Sequence, residues 1–136
     1  MFVFERPVRF ADVDAARILF FARYLEYCHD ALEALFAPLP GGYSAMINDR
    51  DVGVPSVRIE IDYKSPLRYG DTARIETVVE RLGSKSITFL HTLRRASDRE
   101  VCASVRQVVV TARLTQLASI PLPDDVRALL EGHLAV

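Results

Sequence analysis

The sequence predicts an α+β domain in which an antiparallel sheet wraps around one long helix. Two patterns support this prediction: an apolar stripe at helical spacing between Ala22 and Phe36, and a strand-like stretch with short turns between Gly53 and Leu114. Strands joined by short turns form an antiparallel meander, and the early helix is then left to cover one face of it. The chain has 136 residues, of which 50% are hydrophobic, so we expect one domain over residues 1–136 with a substantial core.

Composition excludes several classes of function. The 17 Lys and Arg residues balance 18 Asp and Glu residues, so no excess of positive charge indicates a nucleic acid or an anionic membrane as a partner. Residues 34–48 form the longest uncharged stretch, but prolines and glycines interrupt it and it cannot span a membrane. The two cysteines form no CxxC pair and no disulfide framework, and the N-terminus has no secretory signal pattern. We therefore expect a cytoplasmic protein.

The first half of the chain contains the helical signals. Phe2–Arg9 alternates as a strand, and a loop with polar residues follows over residues 11–17. The long helix is predicted from about Ala22 to Phe36, where Pro38–Gly42 ends it. A short second helix is predicted within Tyr43–Val52, on a weaker pattern.

The second half reads as strands. Residues 57–64 alternate with period two, apolar on one side and charged on the other. After a turn at Pro66–Asp71, three further strands are predicted, separated by turns at Gly83-Ser84 and Ser97-Asp98: Thr72–Leu82, Lys85–Ala96 and Glu100–Leu114. A terminal helix is predicted over Asp124–Leu130, with Asp124 as its N-cap.

The most informative segment for function holds two carboxylates, Asp12 and Asp14, just before the long helix. Acidic residues in this position commonly cap a helix and complement its dipole. Asp14, however, lies several residues before the expected helix start, and the intervening residues 18–21 are too apolar for an exposed loop. We therefore expect Asp14 at the mouth of an apolar slot, beside backbone N–H donors of the helix start. That arrangement suits attack on an ester or thioester.

The cysteine and histidine residues give weaker indications of a functional site. Cys28 and His29 are neighbours on a helix and point about 100° apart, so they do not form a nucleophile–base pair, and Cys28 is interpreted as a core residue. The three histidines are too scattered for a metal site. His91 shares the apolar side of its strand and is interpreted as structural.

A family resemblance adds to these patterns. Phe10-Ala-Asp-Val-Asp14, followed by Ile18, Phe21-x-x-Tyr24 and Cys28-His-Asp-Ala31, resembles the hotdog-fold acyl-CoA thioesterases of the 4-hydroxybenzoyl-CoA thioesterase type. The resemblance covers roughly residues 3–114 and includes three later motifs: Val54-Pro55, Pro66-x-x-x-Gly70-Asp71 and Gly83-Ser-Lys-Ser86. It implies a hotdog fold and hydrolysis of an acyl-CoA or aroyl-CoA thioester to the free acid and CoA. No metal or redox cofactor is implied.

The resemblance also implies roles for individual residues. Asp14 matches the family's catalytic carboxylate, acting as nucleophile or as general base on water, and the backbone N–H near Phe21 takes the oxyanion role. Ile18, Phe21 and Tyr24 would line the acyl pocket. Lys85 and Ser86 match positions where the family holds the CoA end.

Two positions leave alternatives open. Arg17 stands where the family usually has glycine, so the loop is reshaped, or catalysis is weakened, or Arg17 contacts a CoA phosphate or an anionic acyl group. His29 is interpreted as a hydrogen-bonded core residue or as a contact of the acyl group, which the similarity to hydrolases of 1,4-dihydroxy-2-naphthoyl-CoA suggests.

Two other functions compete with hydrolysis: a non-catalytic acyl-CoA-binding module with a loop impaired by Arg17, and a hotdog dehydratase or hydratase that uses His29. The slight excess of apolar residues, together with the resemblance, predicts an obligate homodimer with active sites between subunits, or a dimer of dimers, hence a homotetramer.

Overall fold

The computed structural model describes residues 1–135, and its main element is a five-stranded antiparallel sheet. The strands are β1 (Phe2–Pro7), β3 (Ser56–Tyr63), β4 (Thr72–Leu82), β5 (Ser86–Arg95) and β6 (Val101–Val110), and they lie in the order β1-β4-β5-β6-β3. A second, three-stranded sheet contains β2 (Val52–Gly53), β7 (Ala112–Arg113) and β8 (Ala118–Ser119). The predicted meander is confirmed, and β4 has the bounds that its alternation predicts.

Three α-helices accompany the sheet: α1 (Tyr24–Leu35), α2 (Gly42–Asn48) and α3 (Asp124–Glu131). A 3-10 turn at Phe21–Arg23 leads into α1, which explains why the helical pattern begins two residues earlier than the α-helix. The predicted N-cap of α3 is wrong. Pro123 occupies that position without a side-chain cap, and Asp124 is the first helical residue.

The core under α1 consists of two apolar clusters. The first contains Tyr24 and Cys28 from α1 and is continued by Ile75, Leu93 and Val105 from the sheet. The second begins at Leu32 and is continued by Val79, Ile87, Phe89 and Val109. This packing of one sheet face on α1 is the hotdog arrangement that the sequence predicts.

A row of polar side chains separates the two clusters. Thr77 Oγ1 lies 2.8 Å from His91 Nδ1, and His91 Nε2 lies 2.9 Å from Gln107 Oε1. Gln107 Nε2 then donates to Ser56 Oγ at 2.8 Å. The row crosses β4, β5, β6 and β3 in turn, and it satisfies the polar groups that lie between apolar layers.

β3 is the uncovered edge of the large sheet. Its apolar residues Val57, Ile59 and Tyr63 are 62%, 39% and 48% exposed, although they lie on the side that faces the core elsewhere in the sheet. At the other edge, the C-terminal residues pair with β4 beyond the end of β1, since the Val79 N–H donates to the His133 carbonyl and the Ala135 N–H donates to the Val79 carbonyl. The period-two pattern of β3 was correctly predicted, but its apolar side is only partly covered within this chain.

Among residues 1–135, no helix is both long and apolar enough to cross a membrane.

Candidate active site

Asp14 begins a tight turn that presents its carboxylate to solvent. The Asp14 N–H donates to the Ile18 carbonyl at 3.0 Å, and the Arg17 N–H donates to the Asp14 carbonyl at 2.9 Å. The Ala16 N–H donates to Asp14 Oδ1 at 2.8 Å, which fixes the side chain. Within residues 1–135 the second carboxylate oxygen, Oδ2, accepts no hydrogen bond. An oriented carboxylate with one free oxygen is suited to act as a base or a nucleophile.

This turn is anchored to the Pro66–Asp71 segment. Ile18 and Arg68 form an antiparallel bridge, and the Leu19 N–H donates to the Leu67 carbonyl at 2.7 Å. Leu19 and Leu67 are 2% and 0% exposed, so the anchor lies in the core while the tip of the turn stays at the surface. The two motifs of the sequence resemblance thus meet in space.

Arg17 has a left-handed backbone, with φ of 65°. Glycine adopts this conformation without the steric cost that a Cβ imposes. The turn therefore closes despite the larger residue. Of the alternatives for Arg17, the structure does not show a loop reshaped to avoid the left-handed conformation, because the backbone keeps the φ that glycine would favour. The Arg17 side chain lines the same cavity as Asp14.

Asp14 and Arg17 line one surface cavity of about 450 Å³. Its other lining residues come from the start of the loop and from the anchoring segment: Phe10, Val13, Arg68 and Tyr69. The rings of Phe10 and Tyr69 lie 5.8 Å apart between centroids and are 74% and 60% exposed. A volume of this size fits a small organic group.

Asp12, by contrast, is a structural residue, and sequence reasoning, which selected Asp14 as the catalytic carboxylate, did not predict the contacts of Asp12. It is 4% exposed, accepts a hydrogen bond from Tyr27 Oη at 2.7 Å, and lies 3.3 Å from Arg6 Nη2 and 3.5 Å from Arg23 Nη1. Burial alone would raise the pKa of Asp12, but the Tyr27 hydrogen bond and the Arg6 charge outweigh it and lower that pKa. Arg6 also stacks over the Tyr27 ring at 3.9 Å.

The start of the long helix is tied to the same loop. The Phe20 N–H donates to the Asp12 carbonyl at 2.9 Å, and Tyr63 Oη donates to the Phe21 carbonyl at 2.8 Å. Phe21 is the first residue of its 3-10 turn, and its N–H has no acceptor within residues 1–135. A free N–H at a helix start can stabilise negative charge.

Phe21 and the other residues predicted for the site do not line the Asp14 cavity. Phe21 is 63% exposed. Ile18 is half-buried in the anchor, and Tyr24 is 4% exposed, with its ring edge-on to Tyr63 at 5.0 Å. His29 is exposed and packs against Tyr43 at 5.9 Å between centroids, so its interpretation as a hydrogen-bonded core histidine is wrong. The residue faces solvent because it lies on the side of α1 turned away from the sheet.

Lys85 and Ser86 lie at the far end of the sheet from Asp14. The Pro66–Asp71 segment adjoins the Arg95 end of β5, as the bond from the Ala96 N–H to the Thr72 carbonyl shows. Ser86 begins β5 at the opposite end, about 30 Å away at the usual rise of a strand. Within this chain Lys85 and Ser86 do not contribute to the Asp14 cavity.

Two further sequence interpretations concern buried groups. Cys28 is 1% exposed, and burial raises the pKa of its thiol to about 12, which agrees with a core residue. His91 is 1% exposed and belongs to the polar row, as its structural interpretation requires. No group of three or more His, Cys, Asp or Glu side chains in the described part of the chain is arranged to hold a metal ion.

Comparison with known proteins agrees with the fold and the motifs. The model of the thioesterase-like superfamily matches residues 8–130. A 1,4-dihydroxy-2-naphthoyl-CoA hydrolase from Synechococcus elongatus is 32% identical over 129 residues, covering 94% of this chain and 93% of that protein.

Two solved structures are also similar. A thioesterase-superfamily protein from Jannaschia sp. CCS1 has a TM-score of 0.90 and 33% identity, covering 99% of this chain and 94% of the other. A gentisyl-coenzyme A thioesterase has a TM-score of 0.82 and 30% identity, covering 92% of this chain and 98% of the other.

Proposed function

The chain belongs to the thioesterase-like superfamily and is a thioesterase, and from this premise we propose that it hydrolyses the thioester of an aromatic acyl-CoA with Asp14 as its catalytic carboxylate. The observation that carries the proposal is the Asp14 turn. It fixes one carboxylate oxygen and leaves the other free in a cavity with aromatic walls.

Two routes are compatible with this geometry. Asp14 takes a proton from a water molecule that attacks the thioester carbonyl, or it attacks the carbonyl itself and forms an anhydride that water then opens. In both routes the carbonyl oxygen becomes an oxyanion, the C–S bond breaks, and CoA leaves as a thiolate that takes up a proton. The free Phe21 N–H at the helix start is the proposed donor to the oxyanion.

An aromatic acyl group is favoured by the cavity walls. Phe10 and Tyr69 present two exposed rings beside Asp14, and an aromatic ring packs against such faces in stacked or edge-on geometry. The relatives named for 1,4-dihydroxy-2-naphthoyl-CoA and gentisyl-CoA also act on aromatic thioesters. We therefore place the chain with the aroyl-CoA hydrolases, of which the 4-hydroxybenzoyl-CoA type is one.

The direct test is release of free thiol from a panel of aroyl-CoA and acyl-CoA esters. We expect Asp14→Asn to lower kcat by about 10²- to 10⁴-fold, the usual contribution of a general acid or base. Asp49→Asn, which changes another exposed aspartate at the end of α2, is the matched control and should retain the wild-type rate. Hydrolysis at the wild-type rate by Asp14→Asn would remove Asp14 from the mechanism.

We further propose that the active unit is a homodimer joined through the β3 edges. An unpaired edge strand with three exposed apolar residues offers both backbone hydrogen bonds and an apolar surface to a second copy. Two-fold antiparallel pairing of β3 would bring the Ser56 end of one strand beside the Tyr63 end of the other.

This pairing accounts for the distance between Lys85 and Asp14. Ser56 lies at the same end of the sheet as the β4–β5 hairpin, since the Val110 N–H donates to the Pro55 carbonyl and Val110 pairs with Ser86. The two-fold axis would then carry the second copy's Lys85 and Ser86 to the end of the joint sheet that holds Asp14. The CoA-binding role of these residues is proposed across the interface.

Mixed dimers test this arrangement. Asp14→Asn and Lys85→Glu should each be weakly active alone, whereas a re-equilibrated one-to-one mixture should regain about a quarter of the wild-type sites. A mixture no more active than the mean of its parents, or a Lys85→Glu variant with the wild-type KM, would contradict the placement. A monomeric mass by light scattering with activity retained would overturn the dimer.

A further inference from the structure

Two arginine side chains line the Asp14 cavity without forming an ion pair with any described residue. Arg17 and Arg68 both line it, and within residues 1–135 neither guanidinium forms an ion pair or a side-chain hydrogen bond. Some other arginines are paired, such as Arg6 with Asp30, and Arg50 with Asp125 through two hydrogen bonds, whereas Arg81 and Arg99 are exposed and also form no ion pair among the described residues. Arg17 and Arg68 are distinguished because they share one cavity. Two cations and one carboxylate, Asp14, line the cavity, so its lining carries a net positive charge that favours an anion.

The backbone holds these two side chains together. The bridge between Ile18 and Arg68 and the bond from the Tyr69 N–H to the Arg17 carbonyl, at 3.4 Å, join the two segments that carry the arginines. Both segments are anchored by the buried Leu19 and Leu67. The cations therefore sit on a supported turn rather than on separate mobile loops.

Arg17 occupies a backbone position that favours glycine. Left-handed residues are not in themselves a sign of function here, because Arg99 in the β5–β6 hairpin has φ of 63°. Arg17 differs from Arg99 because it lines the cavity with the proposed catalytic carboxylate and a second cation. Strain retained at such a place is consistent with a function for the side chain.

We propose, resting on the thioesterase function above, that Arg17 and Arg68 form an anion site that determines substrate specificity. The site binds a negatively charged oxygen group of the thioester through charge-assisted hydrogen bonds, while Phe10 and Tyr69 pack against the adjoining organic part. Either a carboxylate on the aromatic acyl group or a phosphate of CoA supplies this chemistry. Arg17 and Arg68 are specificity-determining residues and take no part in bond breaking.

Steady-state kinetics with matched substrates test the proposal. Benzoyl-CoA and 4-carboxybenzoyl-CoA differ by one carboxylate, and the 3′-dephospho form of each ester lacks one CoA phosphate. The variants are Arg17→Gly and Arg68→Gln. Their controls are changes at Arg99, an exposed left-handed arginine in the β5–β6 hairpin: Arg99→Gly matches Arg17→Gly, and Arg99→Gln matches Arg68→Gln.

The two sources of the anion give different results. If the acyl carboxylate binds there, Arg17→Gly and Arg68→Gln raise KM about tenfold to a hundredfold for 4-carboxybenzoyl-CoA and leave benzoyl-CoA unchanged. If a CoA phosphate binds there, KM rises equally for both esters, and the 3′-dephospho esters respond less. Changes below twofold for every ester, or equal changes in the controls, would overturn the anion site.

Binding measurements separate this proposal from the hydrolysis itself. Calorimetric titration of 4-carboxybenzoyl-CoA and free CoA uses Asp14→Asn as the reference protein and adds Arg17→Gly or Arg68→Gln to it, so that binding is measured without turnover. Weaker binding in both variants supports the anion site even if no ester is hydrolysed, whereas unchanged binding overturns it even if Asp14→Asn abolishes hydrolysis.

Discussion

Asp12 and Asp14 are separated by one residue, yet the molecule gives their carboxylates opposite surroundings. Asp12 is buried and held by Tyr27, Arg6 and Arg23, whereas Asp14 is exposed and accepts only the local Ala16 N–H. The partners of Asp12 come from two elements on either side of it in the sequence: Arg6 from β1, and Arg23 and Tyr27 from the start of the long helix. The two acids of this Asp-x-Asp motif are therefore not equivalent. The Asp12 carboxylate holds the loop, and the Asp14 carboxylate lies at the surface with one oxygen free of hydrogen bonds from the described residues.

Removing each carboxylate should separate the two roles. Asp12→Ala leaves Arg6 and the buried Tyr27 hydroxyl without their shared acceptor, so we expect the free energy of unfolding to fall by about 3 kcal/mol. Asp14→Ala should change it by less than about 0.5 kcal/mol, as is usual for an exposed residue. Urea denaturation of both variants makes the measurement, and equal losses would show that the two carboxylates share one structural role.

The pH dependence of stability also distinguishes the Asp12 carboxylate from other buried groups. Burial lowers the pKa of His91 to about 4 from its ordinary 6.5, against the hydrogen bond with Gln107 that raises it. Between these values the unfolded chain binds a proton that the folded chain excludes, so stability falls with falling pH by up to about 3 kcal/mol. The pKa of Asp12 is lowered, so its contribution persists above the ordinary aspartate value of 3.8 and is lost only as the pH falls below it.

The larger part of the loss between pH 6.5 and pH 4 is assigned to His91 in the polar row. His91→Gln cannot titrate at this position, so the slope of its unfolding free energy over this range should fall well below that of the wild type; the remaining slope belongs to His133, whose pKa is also lowered by burial. Denaturation curves at intervals of half a pH unit measure the slope. A wild-type slope retained in His91→Gln would assign the acid sensitivity to groups other than His91.

The smallest expected effect concerns the backbone of the Asp14 turn. Arg17→Gly relieves a left-handed residue and should raise the free energy of unfolding by about 1 kcal/mol, reduced somewhat by the greater freedom of glycine in the unfolded chain. Arg99→Gly should show a similar gain, since the two φ angles are 65° and 63°. Thermal unfolding of both variants compares them. A loss of stability in Arg17→Gly alone would show that its side chain supports the fold.

Patterns of neighbouring residues predicted the elements, but not their partners. Alternation predicted β4 with its observed bounds, and helical spacing predicted α1 within two residues. The exposure of His29 was missed because the helical stripe does not show which of its flanks the sheet covers. The N-cap at Asp124 was misplaced because Pro123 already occupies the position before the helix.

In the candidate site, too, the sequence indicated individual residues but not the segments that pack against them. The residues around Asp14 were recognisable from a motif, and the free N–H at Phe21 follows from its place at a helix start. Arg68 and Tyr69 were not predicted, because only the bridge between Ile18 and Arg68 brings their segment to the cavity. The burial of Asp12 likewise depends on Arg6 and Tyr27, whose approach is a property of the folded chain.

The polar row from Thr77 to Ser56 has a consequence for how this chain tolerates change. It divides the core into a cluster that supports the Asp14 turn, with Leu19 and Leu67, and a cluster that packs α3, with Val126 and Leu130. Residues that share no neighbours contribute to stability additively. The destabilisation caused by a substitution beneath the Asp14 cavity should therefore add to that of a substitution in the second cluster, so each cluster can change without altering the effect of changes in the other.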